Sequence, residues 1–306
     1  MIPLSLKQLR YFATAAELSN LSKAALKLHI SQPSISMAIA ALEDYYAQPL
    51  LIRNPGTGVS TTPFGCEVLK KVTQLLHMAE QLSDVGSATT IDASVIGPIA
   101  IGCFSELAAF FMPAALRLLK QEYPHINVTL KTGDFAQMSA GLSCGELDFI
   151  VSYELALDQT VLIHRLKQVV PYALLPANHR LAAQRTIHLS ELLQEPLIMT
   201  DDAYSAEHLM HLLSGLNLTP KVAFVAPSFE LLRGLVANQH GVAVAYSQTK
   251  NTHAYDGERV VSRPLADAIA GNFIVLARCK TFALTLPAKA AWQCLEKNSA
   301  GLLERF

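Results

Sequence analysis

Two sets of side chains in this sequence could do chemistry, and neither is a catalytic constellation. The first is the run Ser31-Gln32-Pro33-Ser34-Ile35-Ser36 with Met37 behind it, which offers hydroxyls, a carboxamide and short side chains. Groups of that kind hydrogen-bond at close range to a polar surface. The second set lies at the ends of short apolar runs: Cys103-Phe104-Ser105, Asp134-Phe135, Tyr153-Glu154, Thr200-Asp201-Asp202, Ser228-Phe229 and Tyr246-Ser247. Hydroxyls, aromatic rings and carboxylates in that mixture suit the capture of a small organic molecule. An enzyme reading finds no HExxH, GxSxG, Walker loop or strand-following GxGxxG, so no catalytic residue is expected. His208 and His211 stand three apart on one helix, a spacing that more readily means solvated surface than a metal site. The five cysteines are scattered, odd in number and without CxxC spacing, so neither a metal nor any other cofactor is expected.

The first set needs a helix to hold it. Residues 22–29 read as a short helix, a polar break follows at Ile30-Ser31, and a second helix is expected from Gln32 to about Tyr46. Ser31 is a good N-cap, and Pro33 costs little in the first turn because its missing N–H would have no intrahelical partner there. At 100° per residue Ile35, Ala38, Ile39, Leu42 and Tyr46 share one apolar face. Pro33, Ser36, Met37, Ala40 and Asp44 lie opposite, with Gln32 at the tip. Such a helix can pack on a core and slide closely into a groove, and the DNA major groove is the obvious candidate. Charge alone would not suggest DNA. The first 62 residues hold five basic side chains against three acidic ones, and the whole chain 24 against 25. Tight binding would therefore require several heads acting together.

From Leu6 to Gly65 the sequence resembles the winged helix-turn-helix of LysR-type transcriptional regulators. The resemblance is carried by Leu9, Tyr11-Phe12, Ala24-Ala25, Leu28, 31-SQPSIS-36, 42-LE-43, 50-LLIR-53 and 62-TPFG-65, in order and at the family's spacing. It implies that Ser31, Gln32, Pro33, Ser34, Ser36 and Met37 face DNA, with Gln32, Ser34 and Ser36 making most of the contacts. The Gly/Pro/Asn turn at 54–62 has the shape of a wing, placing Arg53, Thr61 and Thr62 to touch the sugar-phosphate backbone. The two threonines are also compatible with ordinary strand positions. Met37 stands where relatives commonly carry Arg; it cannot pair with a guanine edge or a phosphate, though it can rest on a thymine methyl.

A long helix is expected from Pro63 to about Val85. Val68, Val72, Leu75, Ala79 and Leu82 alternate at steps of four and three along it, as in a coiled-coil seam. That stripe can lie on its own domain or on a partner; the resemblance implies a linker helix through which two subunits dimerise. Residues 86–97, polar, small and β-branched, read as a hinge. Strands at 98–104, 126–133 and 147–153 alternate with helices near 107–122 and 135–143, the mark of a parallel sheet with crossover helices. A second set of strands follows at 162–168, 170–176, 197–200, 221–226, 242–246, 259–265 and 272–278. Helices near 206–215, 229–238 and 284–297 complete it. The resemblance continues in Gly145-Glu146-Leu147-Asp148, His179, Leu181 and 234-GLVANQHGVAV-244.

The expected fold is α/β overall: an N-terminal winged helix-turn-helix (1–62), a long linker helix (63–87), a hinge (88–97) and a two-lobed α/β effector domain like a periplasmic binding protein (98–306). Lobe I would take 98–167 and 267–306, and lobe II 168–266. Ligands of open α/β sheets bind beyond the carboxyl ends of strands, at helix N-termini, which names the second set as cleft residues. Glu106, Asp134, Asp201 and Asp202 can equally be helix and turn caps. Phe135 stands where the family often has Ser or Thr, and no Lys or Arg lies among the tips. An aromatic, amine-bearing or zwitterionic effector is therefore expected. The resemblance implies a DNA-binding regulator modulated by a small molecule, with double-stranded DNA bearing an interrupted palindrome, a homodimer or tetramer, and RNA polymerase as partners. With no secretory signal or membrane span, a cytoplasmic location is expected. A redox-sensing regulator of the same family is the alternative, but 168–266 holds no cysteine and Cys103 reads as a small buried thiol. A small-molecule-binding protein without a DNA role is the other.

Overall fold

The computed structural model describes residues 4–54, 58–84, 95–247 and 251–304. The chain divides into two compact units, one formed by the first 90 residues with 140–146, the other by 91–139 with 147–306.

In the first unit every helix begins on a side chain that supplies an acceptor for the unpaired first-turn N–H groups. Helix α1 (Leu6–Glu17) opens on a reciprocal box in which Gln8 N donates to Ser5 Oγ (3.2 Å) and Ser5 N donates to Gln8 Oε1 (3.0 Å). Helix α2 (Leu21–Lys27) is capped by Asn20, and α3 (Gln32–Tyr46) by Ser31. A hairpin of β1 (Leu51–Asn54) and β2 (Gly58–Thr61) follows in antiparallel register, Leu51 opposite Thr61; its turn at 55–57 lies outside the described residues. Gly58 adopts φ +106°, and a Cβ there would stand 2.2 Å from the Ser19 carbonyl oxygen that accepts from Val59 N. Only glycine fits that approach. The core of this unit gathers Leu9, Phe12, Ile35, Ile39, Leu42 and Leu50. Each such side chain contributes about 1.5–3 kcal/mol on burial.

Helix α4 (Pro63–Asp84) is fastened to β1 at its first turn. Thr62 Oγ1 donates to Pro49 O (2.8 Å) and accepts from Gly65 N (2.8 Å). A Cβ on Gly65 would lie 2.0 Å from Leu50 O. Val68 and Val72 are buried in the same core as Leu9 and Phe12.

The second unit opens with β3 (Gly97–Phe104), α5 (Ser105–Glu122), β4 (Ile126–Gly133), α6 (Phe135–Ser143) and β5 (Phe149–Tyr153), then β6 (Val161–Val169). Strand β3 pairs parallel to both β4 and β5, as the alternation of strands and helices predicts. Asp148, of the Gly-Glu-Leu-Asp run, binds across this sheet: its Oδ2 accepts from Ala100 N at 2.8 Å. The chain then crosses at Val170-Pro171 into β7 (Tyr172–Pro176), a 3-10 turn at Arg180–Ala183, α7 (Leu189–Leu192), β8 (Leu197–Thr200), α8 (Ala203–Gly215), β9 (Val222–Ala226), α9 (Phe229–Ala237), β10 (Ala243–Ala245) and β11 (Val260–Pro264). It returns through β12 (Asn272–Cys279) and ends in α10 (Leu286–Lys297) and α11 (Ser299–Leu302).

Two sheet systems result. One is five-stranded in the order β4-β3-β5-β12-β6; the other combines β10-β7-β11 with the parallel pair β8-β9. Because β12 comes back from the second system running the opposite way, it pairs antiparallel with both β5 and β6, and the five-stranded sheet is mixed. Helix α5 starts two residues earlier than its apolar periodicity suggested, directly at the end of β3, which puts Glu106 in its first turn.

Candidate functional site

On the first unit, α3 presents its apolar face inward and the expected reading face outward. Ile35, Ala38, Ile39 and Leu42 are buried, whereas Ser31, Gln32, Pro33 and Met37 are exposed, Met37 at 67 %. Ser34 and Ser36 are half-buried. The Ser31 and Ser34 hydroxyls lie 2.7 Å apart, and Arg53 Nη2 donates to Ser36 Oγ (3.1 Å), so the wing's arginine is held against the reading helix. Thr61 Oγ1 lies 3.0 Å from Cys66 Sγ. Thr62 departs from the expected backbone contact: its side chain is buried and engaged as the N-cap of α4. Lys27 is paired with Glu17 at 3.1 Å.

Along α4 the stripe divides. Val68 and Val72 are covered by their own unit, Ala79 is half-buried, and Leu75 stands 46 % exposed; the side chain of Leu82 lies outside the described ones. Most of the expected hinge, 88–94, also lies outside them, and β3 already begins at Gly97.

In the second unit a cavity of about 60 Å³ opens between the two sheet systems, room for a handful of water molecules. Of the strand-tip residues, Phe135, Tyr153, Thr200, Phe229 and Tyr246 line it. The others serve the fold around it. Phe104 is buried and stacks on Phe135 with centroids 4.1 Å apart. Cys103 is buried, and burial pushes its thiol far up. Asp134 accepts from Gln137 N at 2.7 Å, Asp202 from Ser205 N at 2.7 Å and Ser228 from Leu231 N at 3.2 Å, so all three cap helices. Glu154 takes both guanidinium bonds of Arg165, at 2.6 and 2.7 Å, Asp201 is exposed beside β8, and Ser105 is exposed at the start of α5.

Other lining residues were not among the expected ligand contacts, and three of them bear on the chemistry of the site. Asn272 reaches the cavity only because the chain returns there to start β12. His208, taken for surface, faces inward and places Nε2 3.2 Å from Tyr246 Oη; burial lowers its pKa. Glu106, which could have been a cap, faces the cavity instead. Ser247 Oγ donates to its Oε2 at 3.4 Å and lies 2.6 Å from Tyr153 Oη. Burial pushes the Glu106 carboxyl up to about 7, Asp202 and Glu230 push the same way, and hydrogen bonds from Ser247 and Thr200 oppose them. The signal that could have found it is the helix-start rule applied at the second residue after the strand rather than the first.

A capped helix-turn-helix with a wing, followed in the same chain by a two-lobed α/β unit with an aromatic-walled cleft, defines a ligand-responsive DNA-binding protein. The family models agree: residues 6–66 match the bacterial regulatory helix-turn-helix protein, lysR family, and 93–300 match the LysR substrate binding domain. The chain belongs to the LysR family of DNA-binding transcriptional regulators with an effector-binding domain, a family of regulators rather than enzymes. It is 28 % identical over 264 residues to the uncharacterized HTH-type transcriptional regulator YvbU of Bacillus subtilis, covering 86 % of this chain and 88 % of that one. Among solved structures it is similar to HinK, a LysR family transcriptional regulator from Pseudomonas aeruginosa (32 % identity, TM-score 0.64, 97 % and 99 % of the two chains covered). It also shares the fold of full-length CbnR complexed with its target DNA (20 % identity, TM-score 0.64, 97 % and 100 % covered). Among the described residues no helix is long and apolar enough to cross a membrane.

Proposed function

We propose that this regulator acts in the cytoplasm as a homodimer or tetramer whose paired heads read an interrupted palindromic operator, with half-sites about 34–36 Å apart or at multiples of that. Gln32, Ser34, Ser36 and Met37 meet base edges, and Arg53 meets the backbone. Leu75 and the turns after it supply the helix-pairing surface. The observation that carries this reading is the division of α3 into a buried apolar face and an exposed one bearing Gln32 and Met37. The fold shared with CbnR on its target DNA supports it. A small organic effector in the cleft favours one lobe arrangement, and through it one head spacing, by its differential affinity for the two states. RNA polymerase is the downstream partner, and no catalysis is involved. A redox trigger in the second lobe is disfavoured because 168–266 holds no cysteine, and Cys103 in the first is buried.

The test is fluorescence anisotropy on an operator fragment selected from random duplexes. Gln32→Ala should weaken binding by about 1–3 kcal/mol, roughly five- to 150-fold, without changing the oligomer. Unchanged affinity would remove α3 from the reading role.

A further inference from the structure

We infer that the cleft is built for a compact organic monocation with a flat or apolar body, its positive group seated against Glu106. This rests on the proposal that the cleft is the effector site. Three observations converge. First, Glu106 is the acid in the cavity wall, and among the described residues no Lys or Arg lines the cavity. The neighbouring His208 is held toward its neutral form by burial. Second, three helix starts where a carboxylated ligand would ordinarily find free N–H groups are already capped, α6 by Asp134, α8 by Asp202 and α9 by Ser228, and the uncapped start of α5 carries the acid Glu106 in its own first turn. Two of those caps are themselves acids, so an anion would meet repulsion there. Third, the walls are Phe135, Phe229, Tyr246 and Met199, surfaces that hold an aromatic or aliphatic body and attract a cation over their faces.

The state of Glu106 fits that occupant. A carboxylate in the first turn of α5 should be favoured by the helix dipole. Burial and the facing acids Asp202 and Glu230 override this and raise the group to about 7. Its other titratable neighbours, Tyr153 and Tyr172, are themselves held in the neutral form by burial. Among the described residues no cation offsets the charge of Glu106, and a bound cation supplies that partner. Binding then favours ionised Glu106 and releases a proton where the group was protonated.

Isothermal titration of the full chain with benzylamine, benzyl alcohol and benzoate, at pH 8 and pH 6, tests this. Wild type should bind benzylamine at least tenfold more tightly than benzyl alcohol, with benzoate weakest. Affinity for the amine should fall roughly tenfold from pH 8 to pH 6 as Glu106 takes up a proton. Glu106→Gln should erase both the preference and the pH dependence while its tryptophan fluorescence reports a folded lobe. Preference for benzoate, amine binding indifferent to Glu106→Gln, or no amine binding at millimolar concentration overturns the cation assignment. A Phe135→Ala variant separates the two levels. If a neutral or anionic probe binds and Phe135→Ala weakens it, the cleft stands as the effector site and only the cation is wrong. If every bound probe ignores both variants, the cleft reading itself falls.

Discussion

Replacing Glu106 by Gln should remove one defined contribution to the pH dependence of the effector-binding unit's stability, independently of any ligand. The folded-state carboxyl titrates near 7 against an ordinary value of 4.5. Because the native pKa is raised, the native state binds the proton more tightly than the unfolded chain. Stability is therefore highest below 4.5 and is lost as pH rises through 7. A shift of that size corresponds to about 3 kcal/mol at pH 8, and to less than about 0.5 kcal/mol at pH 4.5, where the group is largely protonated in the native protein and half protonated in the unfolded chain. Trp292 offers a clean probe: it is the chain's single tryptophan and sits in the core of this unit, edge-on to Phe149 at 5.7 Å. Urea unfolding followed by its fluorescence should show the variant gaining on wild type by about 3 kcal/mol between pH 4.5 and pH 8. The quantity of interest is that change in difference, which cancels any constant effect of the amide. Parallel stability curves, or a variant that loses ground at high pH, would show that Glu106 is not a buried, uncompensated acid.

Further outcomes concern the other unit. Gly65→Ala should destabilise it by about 1–3 kcal/mol, since the new methyl meets the Leu50 carbonyl at the α4–β1 contact; thermal unfolding read by circular dichroism checks this. Leu75→Asp should shift sedimentation toward the monomer with the head still folded, whereas Val72→Asp, which buries a charge in the head core, should unfold it. With Lys27 paired to Glu17, at most four basic side chains per head remain for phosphates. A two-headed complex should therefore give a slope of log affinity against log salt no steeper than about −7.

The head was largely legible in the sequence because its signals are local. A cap at Ser31 and a 3.6-residue apolar period place α3 with the faces observed. Thr62 alone proved informative in a different way than expected, as the cap of α4 rather than a backbone contact, while Pro63 opens that helix as its position predicts. The stripe on α4 was legible as apolar, but periodicity cannot say what covers it, and Val68 and Val72 turn inward. In the second unit the alternation of strands and helices gave the parallel pairing of β3, β4 and β5. The antiparallel insertion of β12 depends on where the chain re-enters, which no local pattern encodes. The strand-tip rule found five of the sixteen residues of the cleft wall. It missed His208 and Asn272 because one arrives from a helix face and the other from a returning strand.

The burial of Val68 and Val72 makes the first turns of α4 a root rather than a stalk. Val68 and Val72 share one core with Ile35, Ile39 and Leu42, so the start of α4 and the helix that bears Gln32 and Met37 are packed as one body. On the proposed pairing of two copies beyond Leu75, an operator whose half-sites are a base pair too close or too far would have to be met by re-pairing those turns, while each head keeps its own shape.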